Sequence, residues 1–239
     1  MRGDSIMVDL SAEMTELWGT LGAPLAGRAR AIQFVGATAG EGTSTVAREF
    51  AYHAATKAAR RVWLVDLDLL GSPQVVDIAA QAQRFGPLGP PAAASPDGSS
   101  FFTVQPPLRQ PDGRPWPDAR YLSAQAVGPA TLWVTRFRRD ALKGRQTVHI
   151  LPTADYWNAL RRHCDLIVVD APPADRSQAA LTVAQFMDDT VLVVTADQSD
   201  VRSPARLRDS ISAAGGSCAG LFLNRARVET PRFLKGLAP

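Results

Sequence analysis

A series of short, nearly unbroken apolar runs, one ending in a glycine-rich loop and two in an acid, most constrains how this chain can fold. Ala31-Ile-Gln-Phe-Val35 runs into Gly36. Arg61-Val-Trp-Leu-Val65 ends in Asp66, Thr147-Val-His-Ile-Leu151 in Pro152, and Leu166-Ile-Val-Val169 in Asp170. Thr190-Val-Leu-Val-Val194 and Gly220-Leu-Phe-Leu223 follow. Runs that do not alternate polar with apolar belong to strands covered on both faces, as in parallel sheets. Helical stretches fill the gaps: 43–57, 155–163 and 203–214, the last opening on Ser203-Pro204 and stopping at Gly215-Gly216. The pattern predicts an α/β fold, a doubly wound and mostly parallel sheet with helices on both faces.

The first run leads directly into a loop. Gly36-Ala-Thr-Ala-Gly-Glu-Gly-Thr-Ser-Thr45 joins a strand to a helix. Glycines there let backbone N–H groups turn inward, and the helix N-terminus adds partial positive charge, so such a loop cradles an anion. The cofactor-binding set read from it is Ala39, Gly40, Glu41, Gly42, Thr43, Ser44 and Thr45. A phosphate loop normally places lysine just before the serine or threonine that ligands Mg²⁺. Here Thr43 precedes Ser44. A charge-assisted hydrogen bond contributes about 1.5–3 kcal/mol, roughly 10- to 150-fold in affinity. Weak binding of ATP or ADP with Mg²⁺ is therefore expected, and efficient phosphoryl transfer is not. Arg48 lies too far along the helix to replace the lysine. A turn that binds nothing, and an active enzyme with a cation from elsewhere, stay open as alternatives.

Carboxylates at the C-terminal ends of strands complete the candidate site, because ligands of open α/β sheets bind along that edge. Asp66, Asp68 and Asp170 form a degenerate catalytic set. Ser44, Asp68 and Asp170 are the ligands expected for Mg²⁺, should it bind, and Asn224 after the last run is placed to face a base. Each acid alone would read as a turn former. Convergence on one edge is what raises it above that.

Composition narrows the class. Apolar residues make up 46% and charged residues 21% of the 239 positions, ordinary for a globular chain. No apolar run approaches the ~20 residues that span a membrane, and the first ten residues carry Asp4 and Asp9 without an apolar signal region. Two cysteines, Cys164 and Cys218, lie far apart and are expected to stay reduced, as in the cytoplasm. The scattered histidines make no metal site. A net charge of +3 argues no nucleic-acid partner. Arginine-rich stretches at 136–145 and 202–208 read as solvated faces.

Residues 1–24 are read as an N-terminal arm whose helix carries Leu10, Met14, Leu17, Trp18 and Leu21 on one face, capped by Asp9 or Ser11. Residues 25–239 form one domain. Within it, 86–117 holds nine of the eighteen prolines and is read as an irregular or partly disordered insertion.

The order of these motifs resembles the bacterial tyrosine kinases of capsule and exopolysaccharide systems, within the MinD/ParA-like phosphate-loop ATPases. Ala39-Gly-Glu-Gly-Thr-Ser-Thr45 is similar to their PGEGKST loop, Val65-Asp-Leu-Asp68 to their acidic strand end, Cys164-Asp-Leu-Ile-Val-Val-Asp-Ala-Pro-Pro173 to their YDYVIIDTPP segment, and Gly220-Leu-Phe-Leu-Asn-Arg225 to their last strand. The resemblance implies a place in polysaccharide synthesis or export at the cytoplasmic face of the inner membrane. It also implies docking on a membrane polysaccharide co-polymerase or transport protein, and homo-oligomers. Departures run the other way. Thr43 replaces the loop lysine, Thr38 stands where MinD/ParA relatives carry a second lysine, and Glu16 and Gly19 replace the assembly arginines of the E-x-x-R-x-x-R helix that begins at Glu13. The family's terminal tyrosine cluster is missing, the only tyrosines being Tyr52, Tyr121 and Tyr156. The expectation is a kinase-like subunit with weak or no catalysis. An active MinD/ParA-type ATPase for positioning or assembly and a nucleotide-free scaffold are the alternatives.

Overall fold

A computed structural model describes residues 9–22, 29–129, 131–195 and 202–225. The C-terminal segment, which carries no tyrosine, lies outside the described residues.

Helix α1 (Ser11–Leu21) precedes strand β1 (Arg30–Gly36), which feeds helix α2 (Thr43–Ala55) and then β2 (Arg61–Asp66). Helices α3 (Pro73–Ala80) and α4 (Ala82–Phe85) follow, then the short β3 (Ala92–Ala93) and β4 (Phe102–Gln105). Next come β5 (Leu122–Ala126), β6 (Leu132–Phe137), β7 (Thr147–Ile150) and α5 (Asp155–Arg161). The chain continues through β8 (Cys164–Asp170), α6 (Ala179–Val183), β9 (Asp189–Thr195), α7 (Arg202–Ala213) and β10 (Cys218–Asn224). The main sheet has eight strands in the order β10-β9-β1-β8-β2-β6-β5-β3. The first six are mutually parallel, and β5 and β3 add an antiparallel edge. Because β1 lies between β8 and β9, the connections diverge at its C-terminal end, where such sheets open a crevice for ligands.

The sheet divides two cores. Along β1, Ala31 and Val35 face a layer holding Trp157 and Leu160 of α5, Ala180 of α6 and Ile211 of α7. Ile32 and Phe34 face the other layer, with Val46 and Phe50 of α2 and Val75 and Ile78 of α3. That is the doubly wound arrangement read from the unbroken apolar runs. Helix α1 packs outside α2: Met14 is buried, Leu17 and Leu21 lie against the same core, and Trp18 stands 6.1 Å from Phe50. Leu10, rather than Asp9 or Ser11, stands at the capping position, with no side-chain cap; Asp9 accepts from the Ser11 backbone N–H at 3.0 Å just before the helix. The arginines at 136, 138, 139, 202, 206 and 208 are exposed, as solvated faces should be.

Two expectations need correction. The run at 147–151 is not in the parallel sheet; β7 pairs antiparallel with β4 in a separate two-stranded sheet. The parallel strand beyond β2 is β6, whose Thr135 and Arg136 break the apolar run and so hide it. Nor is 86–117 irregular throughout. It contributes β3, β4 and the fully buried Phe101 and Phe102. Phe101 lies 4.8 Å from Tyr156 and 5.3 Å from Trp157, and Phe102 lies 5.3 Å from Phe137, so the segment fills one of the two cores. Strands of two and four residues leave no periodic signal, so the prolines dominate the sequence pattern there.

Phe101→Ala is expected to cost about 3–5 kcal/mol in urea unfolding, the range for a large aromatic removed from a close-packed core. A peripheral, loosely attached segment would give a change within about 0.5 kcal/mol.

Candidate nucleotide site

The loop begins where β1 ends at Gly36 and closes where α2 begins at Thr43. Gly42 is the residue before the helix, at φ 83°, and Gly40 has φ 90°. Glycine is demanded twice over at position 42: a side chain there would be strained in this conformation, and its Cβ would lie 2.1 Å from Asn224 Nδ2. That Asn224 amide donates to the Glu41 carbonyl at 2.8 Å, so the end of β10 braces the loop from the side. The other brace follows β8. Ala174 N–H donates to Gly36 O at 3.0 Å, Asp175 N–H to Ala37 O at 3.1 Å, and Asp175 Oδ2 accepts from Ala39 N–H at 3.3 Å. Nothing in the sequence singled out Asp175, a lone acid after two prolines.

No side chain caps the N-terminus of α2. Its first-turn N–H groups have no partner within the helix and remain as anion donors. Glu41 turns its carboxylate inward instead. The residue is 1% exposed and its Oε2 accepts from Thr38 N–H at 3.0 Å. Burial pushes its carboxyl above the ordinary range, partly countered by the N–H groups of Thr38 and Ala37. A Cβ built on Gly36 would lie 2.4 Å from Glu41 Oε2 and 2.8 Å from Thr43 Oγ1. The hydroxyl at the lysine position therefore shares a tight, buried corner with a carboxylate rather than offering a cation.

The predicted acids do converge. Asp66 and Asp170 are register partners at the ends of adjacent β2 and β8. Both are buried, at 3% and 2% exposure. Asp66 is fully engaged by backbone: Oδ1 accepts from Asp68 N–H at 2.9 Å and Oδ2 from Gln74 N–H at 3.1 Å. Asp68 shapes the turn after β2, its Oδ1 accepting from Gly71 N–H at 3.0 Å. Asp170 Oδ2 accepts from Gln74 Nε2 at 2.6 Å, whereas its Oδ1 is buried without a partner. Burial, then the neighbouring Asp170 charge, holds Asp66 well above the usual carboxylate range. Burial pushes Asp170 up to about 6, against the opposing pull of Gln74, Ser44 and Arg48.

Gln74, on the first turn of α3, is the residue that sequence reasoning missed. It is fully buried and central: Nε2 also donates to Ser44 O at 2.8 Å, and Oε1 accepts from Arg48 Nη1 at 3.1 Å. One glutamine after a proline has no sequence signal that separates it from a solvated one. Arg48, one helical turn beyond Ser44, does not reach the loop. It is 4% exposed and pairs with Asp77 Oδ2 at 2.9 Å.

The fit to the groups such a loop implies is therefore split. The first-turn N–H groups of α2 suit a phosphate, whereas the Ala37, Thr38 and Ala39 N–H groups of the loop already face the Glu41 and Asp175 carboxylates. The acids suit Mg²⁺ poorly: both Asp66 oxygens and one each of Asp68 and Asp170 are occupied by N–H donors. Among the described residues no group of three or more His, Cys, Asp or Glu could hold a metal ion.

A carboxyl raised from 3.8 to about 6 favours the folded state only while it is protonated. Asp66 is raised in the same direction, so the parent should lose stability as pH rises from about 4 to above 6, with Asp170 contributing part of the loss. Asp170→Asn is expected to flatten that slope in urea unfolding at several pH values; an unchanged slope would place the titrating group elsewhere.

No family model matches the chain. Over 76 residues it is 29% identical to the putative tyrosine-protein kinase CapB of Staphylococcus aureus, a stretch covering 32% of this chain and 33% of that one. The chain thus spans about a third of that curated relative. The chimerical protein CapA2B2 superposes with TM-score 0.57 at 16% identity, over 93% of this chain and 88% of its own. The septum site-determining protein MinD of Pyrococcus horikoshii, complexed with Mg-ADP, superposes with TM-score 0.51 at 16% identity, over 86% and 75%. No helix among the described residues is long and apolar enough to cross a membrane. The doubly wound sheet, with a glycine-rich loop between β1 and α2, is an α/β fold shared with these structures.

Proposed function

We propose that the chain is a kinase-like subunit of capsule or exopolysaccharide biosynthesis that holds a nucleotide weakly and turns it over slowly or not at all. The observation that carries this reading is the corner at Gly36, where Thr43 and the buried Glu41 carboxylate stand in the place of a lysine. A loop of the right shape, braced by Asn224 and Asp175, leads into an α2 N-terminus whose first-turn N–H groups no side chain caps. It offers no side-chain cation to the charge that grows on a transferring phosphoryl group. The stretch shared with CapB supports the pathway, and the exposed arginines of 136–139 offer a face for an acidic surface of a membrane polysaccharide co-polymerase. In this reading the subunit works at the inner face of the membrane through that partner.

A nucleotide-free scaffold is the second reading, favoured by the same Glu41: its carboxylate already satisfies the Thr38 N–H of the loop. Calorimetry separates the two. The first expects weak heat on ADP addition, and affinity roughly tenfold or more higher in Thr43→Lys, within the range of a charge-assisted bond. No binding by either protein favours the scaffold. ATP hydrolysis should not exceed the buffer blank. A sustained rate lost in Asp170→Ala would overturn the weak-catalysis reading in favour of an active MinD/ParA-type ATPase.

A further inference from the structure

The large sheet has a margin that carries charge where its centre carries a core. On β6, Val134 packs into the layer that holds Val75 and Ile78 of α3. Arg136, two residues on, projects from the same face by strand alternation, and it is exposed. Its register partner on β5 is Ser123, which pairs in turn with Ala93 of β3. This row offers no large apolar side chain on which a helix could pack.

Two cavities open along the margin. One, of about 730 Å³, is lined by Arg120, Arg136 and Arg138 against a single carboxylate, Asp140. The other, of about 470 Å³, shares Arg136 and Asp140 with the first and adds Arg139, Leu70 and Val76. The shared wall makes them one continuous surface.

Two properties separate this surface from an ordinary solvated face. The first is the state of its arginines. Arg30, Arg48, Arg60, Arg84, Arg161 and Arg162 each pair with an acid. Arg120, Arg136, Arg138 and Arg139 form no ion pair among the described residues. Arg120 lies instead over the Trp116 ring, 4.3 Å from its centre, and that stacking holds its charge in the cavity wall. The second property is what stands beside the arginines. Five large apolar side chains are exposed among the described residues, and three of them gather here. Leu70 and Val76 are 51% and 62% exposed and line the second cavity, and Trp116, 39% exposed, lies beneath Arg120. A soluble phosphate would satisfy the guanidinium groups and leave these three in water. A layer of anionic headgroups over acyl chains receives both sets: guanidinium groups at the phosphates, aliphatic side chains and the indole at the boundary below them.

We propose that this face, from Trp116 through Arg136 to Val76, docks directly on an anionic lipid surface. That goes beyond an acidic protein partner for the same arginines, and it requires neither nucleotide nor catalysis.

The test is co-sedimentation of the full chain with vesicles of phosphatidylcholine, alone or mixed with phosphatidylglycerol, with tryptophan fluorescence as a second readout. Binding is expected to the mixed vesicles only, and it should weaken as salt screens the headgroups. Arg136→Gln, Arg138→Gln and Arg139→Gln together are expected to lower vesicle affinity at least about tenfold, the scale for several basic side chains at an anionic surface. Leu70→Ser combined with Val76→Ser is expected to weaken it as well, by removing the apolar contact. The parent's indole emission should shift to the blue on binding, and Trp116→Phe should abolish the shift. No binding to the mixed vesicles overturns the proposal, and so does binding that all three variants leave unchanged. Arginine-dependent binding that ignores the apolar pair, leaves the emission unshifted and is competed away by inorganic pyrophosphate overturns it in favour of a soluble anion. Capture by an immobilised poly-glutamate peptide without vesicle binding overturns it in favour of an acidic protein segment. All the substituted positions are exposed; if the triple variant nevertheless fails to fold, the parent's emission shift and its loss in Trp116→Phe decide. Nucleotide enters none of these arms, so failure of the weak-nucleotide reading leaves the result standing.

Discussion

Two carboxylates placed side by side at the ends of β2 and β8, both out of water, are the constraint around which the rest of this site is arranged. Strand register makes Asp66 and Asp170 neighbours, and the two cores bury them. Like charges at that spacing cannot both ionise without compensation. The compensation comes in three forms: backbone N–H groups of Asp68 and Gln74 for Asp66, the Gln74 amide for Asp170, and the Arg48 guanidinium behind it. Each form fixes an element. The first pins the turn after β2, the second pins the start of α3 to α2 through Ser44 O, and the third ties the next turn of α2 to α3 through Asp77. Replacing one partner alone would leave a buried charge unmatched, which is why polar clusters of this kind are costly to disturb singly.

The same logic divides what the sequence discloses from what it does not. The unbroken runs at 31–35, 166–169 and 190–194 can only be strands covered on both sides, and those are β1, β8 and β9. Asp170 at the end of β8, and Asp66 at the end of β2, are legible because position along a parallel sheet follows from counting strands. Strand β6 is not, because Thr135 and Arg136 interrupt its apolar run; the Thr135 hydroxyl in fact receives the Asp66 N–H at 3.0 Å. The segment 86–117 hides its structure for a related reason. Its contribution is an aromatic pair, Phe101 and Phe102, and not a period.

The site is legible in its backbone and opaque in its side chains. Glycines at 40 and 42 announce a loop, and the absence of lysine at 43 can be read directly. Where Glu41 and Gln74 turn cannot, since a glutamate and a glutamine on a helix-starting stretch look alike whether buried or solvated. Their burial is a tertiary fact: Glu41 is enclosed by the loop itself, and Gln74 by α2 and β8. Sequence points to the loss of one cation. The structure adds that the surroundings have closed over the loss, with a carboxylate beside Thr43 and an amide beside Asp170.

The contact between Gly42 and Asn224 reaches across this arrangement in another sense. The two residues lie far apart along the chain, one opening α2 and the other ending the outermost strand, yet no atom can be added to the first without moving the second. Neither position can therefore drift alone. A larger residue at 42 would carry backbone strain even with a shorter one at 224, and shortening 224 would in turn release the Glu41 carbonyl. Among relatives of this chain the pair should change together or not at all, which makes the edge strand β10 a record of whether the loop has kept its shape.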